Sequence, residues 1–259
     1  IYGRYRIGAP IGNRCVIDVA GDLGVICDDG VISLSVMMGL DRASAPKAAI
    51  TDKIQTLFNR AVVNYKSNFG WQGIVYPRGT RALFNIPIST TEFHQYTMNT
   101  ITGSWCRFKS MNGACWGLLG DDLYFGGTDG KVYKADTQYQ DNGGTITADL
   151  QTAWNYFKTK GRNKFFEMAR PVIQTTGVPS ILFDINVDFA NVDPTGSISV
   201  TAPSNSLWGT ATWNSGVWGG EGNVSTEWVS PGSIGHVGSA RMRATVNGQS
   251  LILNSIDML

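Results

Sequence analysis

The chain is 259 residues long, with 42% hydrophobic and 16% charged residues, 31 glycines, eight tryptophans and a net charge of +1. That length can bury a substantial core as one large all-β domain or two ordinary ones. The near-zero charge excludes a global field that would draw in nucleic acid or an anionic membrane, while low charge, frequent glycine and many aromatics suit short strands, tight turns and surface buried against neighbours.

The chain opens on Ile1 in strand-like sequence, with no basic segment followed by an apolar run, so no signal peptide is expected. The opening reads as the C-terminal part of a longer polypeptide. No apolar stretch approaches the roughly 18 residues that span a bilayer, so a soluble protein without a membrane partner is expected. Cys15 and Cys27 are expected opposite each other in a hairpin centred on Gly21, and Cys106 and Cys115 around Ser110 and Met111. A disulfide directly across a hairpin is often strained, and buried free thiols serving as small hydrophobes are the plainer reading.

An internal repeat is the most informative feature. Residues 15–30 align without gaps to residues 115–130, with Cys15/Cys115, Asp22/Asp122, Leu23/Leu123, Asp29/Asp129 and Gly30/Gly130 identical. Each copy reads as strand, tight turn, strand, Asp-Gly turn and strand, the last turn being type I′ because Asp and Gly tolerate positive φ. Such a recurring module is a propeller-blade pattern. Between the copies, residues 71–76, 81–88, 95–98 and 104–108 supply four more strands, enough for one further blade. Residues 48–66 break the pattern, with Ile50, Ile54, Leu57, Phe58, Ala61, Val62 and Tyr65 at helical spacing and Thr51-Asp52 as the cap. This is an amphipathic helix inserted at the blade edge, packed on the flank or offered to a partner.

From 145 the strands lengthen: 145–154, 165–174 and 181–189, then a terminal hairpin over 240–256 turning at Asn247-Gly248. The expected organisation is all-β: partial propeller blades with one inserted helix over 1–144, then a β-sandwich-like domain over 145–259. Residues 204–228 are rich in Gly, Ser and Asn around Trp208, Trp213, Trp218 and Trp228. They suit an interface or cap, with a sugar-binding surface as the competing use. Lys158, Lys160, Arg162 and Lys164 form the one dense charge feature and are expected at an exposed hairpin tip. There they could be plainly solvated, or touch DNA phosphate or an acidic neighbour, without sequence preference and in a salt-sensitive way.

No motif of catalysis or phosphate binding is present. His94 and His236 are the two histidines, and the acidic pairs Asp28-Asp29 and Asp121-Asp122 fall at turns that favour Asp on backbone grounds. No catalytic residue, metal ligand or cofactor is therefore assigned.

Residues 123–136 resemble the repeat of quinoprotein-type propellers, which also occurs in non-enzymatic scaffolds. A wider resemblance covers 7–14, 28–34, 95–108, 115–136, 151–154 and 162–171: these runs are similar to the tail nozzle, or tubular, proteins of short-tailed bacteriophages. The resemblance implies a non-enzymatic virion protein of the tail or neck, assembled in the host cytoplasm as a homo-oligomeric, hexameric ring. Its partners would be other tail and portal-adaptor proteins, with transient non-specific contact to the DNA ejected through the ring. The chain is short at its N-terminus for that family. A carbohydrate- or receptor-binding propeller, using the Trp-rich stretch, is the alternative.

Overall fold

The computed structural model describes residues 7–19, 21–38, 45–201, 212, 214 and 222–259, and the fold is all-β. Two compact units divide the chain, Ile1–Thr137 and Gln138–Leu259. Trp208, Trp213 and Trp218 lie outside the described residues.

The first unit holds three antiparallel meanders in chain order. The first comprises β1 (Val16–Val19), β2 (Asp22–Cys27) and β3 (Gly30–Ser33). After a short helix α1 (Leu34–Met37) and two 3₁₀ turns comes α2 (Gln55–Tyr65), then a four-stranded sheet of β4 (Gln72–Tyr76), β5 (Arg81–Pro87), β6 (Phe93–Asn99) and β7 (Trp105–Phe108). The third comprises β8 (Gly113–Leu119), β9 (Asp122–Gly127) and β10 (Val132–Lys134). The two repeat copies form the first and third sheets. Their opening turns match in register, Val19 facing Asp22 and Leu119 facing Asp122.

The middle sheet is covered on both faces, which is why β5 is buried almost throughout. Side chains alternate across a strand. Ala82, Phe84 and Ile86 accordingly join Ile17, Ile26, Val31 and the α2 residues Phe58, Ala61 and Val62 in one core. Leu83 points the other way, to Tyr76, Trp116 and Leu123. The first strands of the three sheets are neighbours, β4 touching both β1 and β8, with Arg14 and Gln72 bridged in parallel.

A row of amides joins the middle sheet to the third. Gln72, Asn85 and Gln95 face one another across β4, β5 and β6. Gln72 accepts from Trp116 N at 3.0 Å and donates to Trp116 O at 2.7 Å. Asn85 Nδ2 donates to Gly70 O at 2.8 Å and Gly113 O at 3.0 Å. Gln95 Nε2 donates to Asn85 Oδ1 and to Met111 O, both at 2.9 Å.

Several sequence expectations are corrected here. The Asp-Gly turns are not type I′: positive φ occurs at Gly30 (129°) and Gly130 (80°), not at the residues before them. In the second loop Gly127 N donates to Lys131 O at 2.8 Å, so Thr128 and Asp129 form an ordinary turn closed by a left-handed glycine. Asp129 serves instead as a local acceptor for Lys131 N at 3.2 Å and the Tyr133 hydroxyl at 2.7 Å. The helix begins at Gln55, because the buried Thr51 hydroxyl does not cap it but accepts Val31 N at 3.1 Å. Cys15 lies opposite Ile26, whose N–H donates to its carbonyl at 2.7 Å, and so does not face Cys27. Cys106 pairs with Thr97 in the middle sheet while Cys115 belongs to the third. All four thiols are free, Cys27 buried and Cys106 exposed.

The second unit contains β11 (Ile146–Gln151), β12 (Lys164–Phe166), β13 (Ala169–Thr175), β14 (Ser180–Val187), β15 (Ser197–Ile198), β16 (Asn223–Ser225), β17 (Ser233–Gly235), β18 (Gly238–Val246) and β19 (Leu251–Met258). One sheet runs β11-β18-β14-β15 and a second β16-β13-β19, with β12-β17 as a separate ribbon. Ile181, Phe183, Ile185, Ala240, Met242 and Ala244 of the first sheet share a core with Ile173, Leu251, Leu253 and Ile256 of the second. The expected strand over 165–174 is thus two strands in different sheets. The expected terminal hairpin is not one either: β18 pairs with β11 and β14, and β19 with β13. Both strands carry an apolar face, and those faces meet across the core, so residues 247–250 form a corner from one sheet to the other. Gly248 turns there with φ of 80° and donates to Tyr139 O at 2.8 Å.

Replacing Asn85 by Ala strands two carbonyls and the Gln95 amide in a buried site. Chemical denaturation is expected to show a loss of about 2–4 kcal/mol. Thr97 Oγ1 is buried with no hydrogen-bond partner among the described residues, so Thr97→Val is expected to be neutral or stabilising by about 1 kcal/mol in the same assay.

Candidate functional site

The basic segment follows β11, but β11 pairs with β18 and β12 with β17, so residues 152–163 are a loop and not the expected hairpin tip. The loop is anchored through aromatic rings. Phe157 meets the buried Phe166 edge-on with centroids 5.5 Å apart. Phe157 N donates to Asn155 Oδ1 at 2.8 Å, and Thr159 N to Tyr156 O at 3.0 Å. Phe157 and Lys158 both take positive φ (46° and 67°), a conformation non-glycine residues adopt only where surroundings hold it.

The four cations divide into two roles. Lys164 turns back into the loop, its Nζ donating to Thr159 O at 2.5 Å, Arg162 O at 3.2 Å and His236 O at 2.6 Å. That ammonium satisfies three carbonyls and ties the loop to the turn before β18. Lys158, Lys160 and Arg162 are exposed, and among the described residues no carboxylate lies within ion-pair distance of them. Lys160 Nζ stands 5.8 Å from the centre of the Tyr156 ring, close enough for a weak cation–π attraction. Three positive charges therefore face solvent on a defined backbone.

Of the expected aromatic group, Trp228 is described. The Arg170 guanidinium lies 4.9 Å from its ring centre, and Arg170 donates to Asp257 Oδ2 at 3.1 and 2.7 Å. One ring face is thus occupied by a Trp–Arg–Asp stack joining residue 228 to β13 and β19.

The repeat aspartates Asp22 and Asp122 both accept hydrogen bonds from side chains of neighbouring segments. Asp22 accepts from the Ser33 hydroxyl and from the Ser35 hydroxyl at 2.6 Å, and these bonds lower its pKa. Asp122, its counterpart, takes Lys134 Nζ at 2.5 Å and Arg78 at 3.0 Å, and is lowered by the Lys134 bond first. His94 Nε2 is 3.2 Å from Glu92 Oε1, and burial lowers its pKa. His236 Nδ1 lies 3.8 Å from Asp188. Among the described residues no three His, Cys, Asp or Glu gather as metal ligands, and no helix is long and apolar enough to cross a membrane.

A charge cluster unseen in the sequence lies on the first sheet of the second unit. Arg241 donates to Asp149 at 3.0 and 2.8 Å, and Arg243 donates to Asp149 Oδ2 at 3.2 and 2.9 Å. Both arginines also reach Asp193 at 2.8 Å. The pairing of β11 with β18 sets Asp149 beside Arg243, and the segment between β14 and β15 adds Asp193. The Arg241 bond, with Arg243 behind it, holds the Asp149 carboxyl at about 2, against 3.8 for an unperturbed aspartate.

No family model matches the chain, and no curated protein is similar to it at a significant level.

A lowered carboxyl pKa contributes stability that is present above the unfolded value and lost as pH falls through the folded one. Asp149→Asn is therefore expected to lower the urea midpoint most at neutral pH, the gap from wild type closing as pH falls from 3.8 towards 2. A gap constant across that range contradicts the assignment. Lys164→Met is expected to lower the melting temperature by several degrees, while Lys158→Ala, Lys160→Ala and Arg162→Ala together leave it within about one degree.

Proposed function

We propose that this chain is a non-enzymatic structural subunit of a bacteriophage tail or neck ring, a nozzle that forms the conduit for DNA ejection. The observation that carries the reading is the run of three meander sheets with their first strands side by side, the blade arrangement expected of that family. Part of the sequence resemblance, over 28–34, 95–108 and 115–136, lies on those same sheets. Asp22, Asp122 and Asp129 in the first and third sheets are engaged in local hydrogen bonds, which suits a wall better than a reaction centre.

In this reading the ring is a homo-hexamer in the virion tail, adjoining other tail and portal-adaptor proteins. Cyclic closure requires heterologous contacts that repeat around the axis. Lys158, Lys160 and Arg162 supply positive charge without base-reading geometry, so any contact with passing DNA is sequence-independent and weakens as salt rises.

The test is the native mass and the negative-stain image of the full-length protein. Six copies around an axial channel are the expected result. A monomer that stays monomeric in the presence of the tail and portal proteins would overturn it. With the ring in hand, the triple alanine variant at 158, 160 and 162 is expected to weaken retention of random-sequence DNA at low salt by about tenfold, with a shallower salt slope.

A further inference from the structure

Among the described residues, one side of the second unit's sandwich is open. β11 and β19 are edge strands of the two sheets, each with a single neighbour. A cleft of about 370 Å³ lies between them, lined by Leu150, Ala153 and Phe157 on one side and Leu253, Ile256 and Met258 on the other. All six residues of β11 are exposed, Ile146 at 39% and Leu150 at 44%.

The two edges differ in how they are protected. β19 carries a bulge: Val172 faces Ser255 and Ile173 faces Leu253, leaving Asn254 unpaired. Bulges of this kind discourage further strand pairing. β11 has no bulge, proline or lysine, the usual guards of an edge. Its one charge, Asp149, is turned to the opposite face and neutralised by Arg241 and Arg243. Ile146, Ala148 and Leu150 share the cleft face, beside a row of backbone groups that have no strand partner among the described residues.

The charge at the end of the cleft selects the occupant. The loop that leaves β11 passes through Phe157, a cleft residue, directly into the exposed Lys158, Lys160 and Arg162. We propose that β11 is a docking edge for an extended segment of a partner protein, paired antiparallel, with apolar residues at alternate positions in the cleft and an acidic N-terminal end against these three cations. Antiparallel pairing sets the orientation, because it brings the partner's N-terminal end to the C-terminal end of β11. A second copy of β11 fits less well, since it would bring Asp141 alone towards three positive charges. The proposal does not depend on the ring reading, because it uses only the edge, the cleft and the loop of this unit.

The test uses two labelled nonapeptides on the full-length protein, followed by fluorescence anisotropy. One has three glutamates followed by alternating threonine and valine; the other has three lysines in their place. The glutamate peptide is expected to bind at least about tenfold more tightly than the lysine peptide. Leu150→Lys should abolish its binding. Combining Lys158→Glu, Lys160→Glu and Arg162→Glu should reverse the preference between the peptides. Hydrogen exchange on the wild type provides a readout free of variants: the bound peptide should slow exchange within 146–151. Equal binding of both peptides, binding without protection of 146–151, or no binding up to about 1 mM would overturn the proposal. Self-association of the wild type that Leu150→Lys removes would instead assign the edge to a second copy.

Discussion

The row of amides at the half-buried Gln72 and the buried Asn85 and Gln95 is the interaction on which the arrangement of the first unit depends. A meander satisfies its backbone hydrogen bonds within its own sheet, so the ladders leave the setting of one sheet against the next undetermined. Apolar contact brings sheets together but has no direction. The amides supply direction: they bind Gly113 O, Met111 O and both backbone groups of Trp116. A slip of one residue would strand several of these groups away from water. Within the third sheet Gly113 leaves room for the rings beside it, since a Cβ there would lie 3.0 Å from the Phe125 ring and 3.2 Å from the Trp116 ring.

The second unit depends on a different device. Among the described residues its two sheets share no ladder and are tied by corners, one at 247–250, where Gln249 Nε2 donates to Val178 O at 3.2 Å and Ser250 N to Thr176 Oγ1 at 2.9 Å. The β11-β18-β14-β15 sheet gains an electrostatic fastening on its outer face, where two arginines and two aspartates sum to no net charge. That neutrality leaves the charge of the unit's exposed loop uncompensated, so the loop's three outward cations are the feature a neighbour would meet.

Much of the strand plan was legible because alternation and turn residues are local signals. The repeat around Asp22 and Asp122 marked two meanders, and the apolar spacing of Phe58, Ala61 and Val62 marked the helix. What could not be read depends on pairing between distant segments. Asn247-Gly248 has the composition of a hairpin turn whether its flanking strands pair or face each other, and only the shared core of residues 240–253 decides. Lys164 carries the same formal charge as Lys158, yet its ammonium is spent on carbonyls that the loop brings around it. The partners of Asp149 were invisible for the same reason, and Cys15 missed Cys27 because register shifts a side chain to the opposite face.

The claim that side-chain amides set the sheets against one another can be tested most directly at a single backbone site. The Trp116 N–H donates to the Gln72 side chain and not to a strand backbone, so its hydrogen exchange reports on the clamp alone. In the wild type it should exchange as slowly as the amides within β5 and β6. In Gln72→Ala it should become fast while those ladder amides stay protected. Unchanged protection at Trp116 in the variant would contradict the account and assign the setting of the sheets to apolar packing.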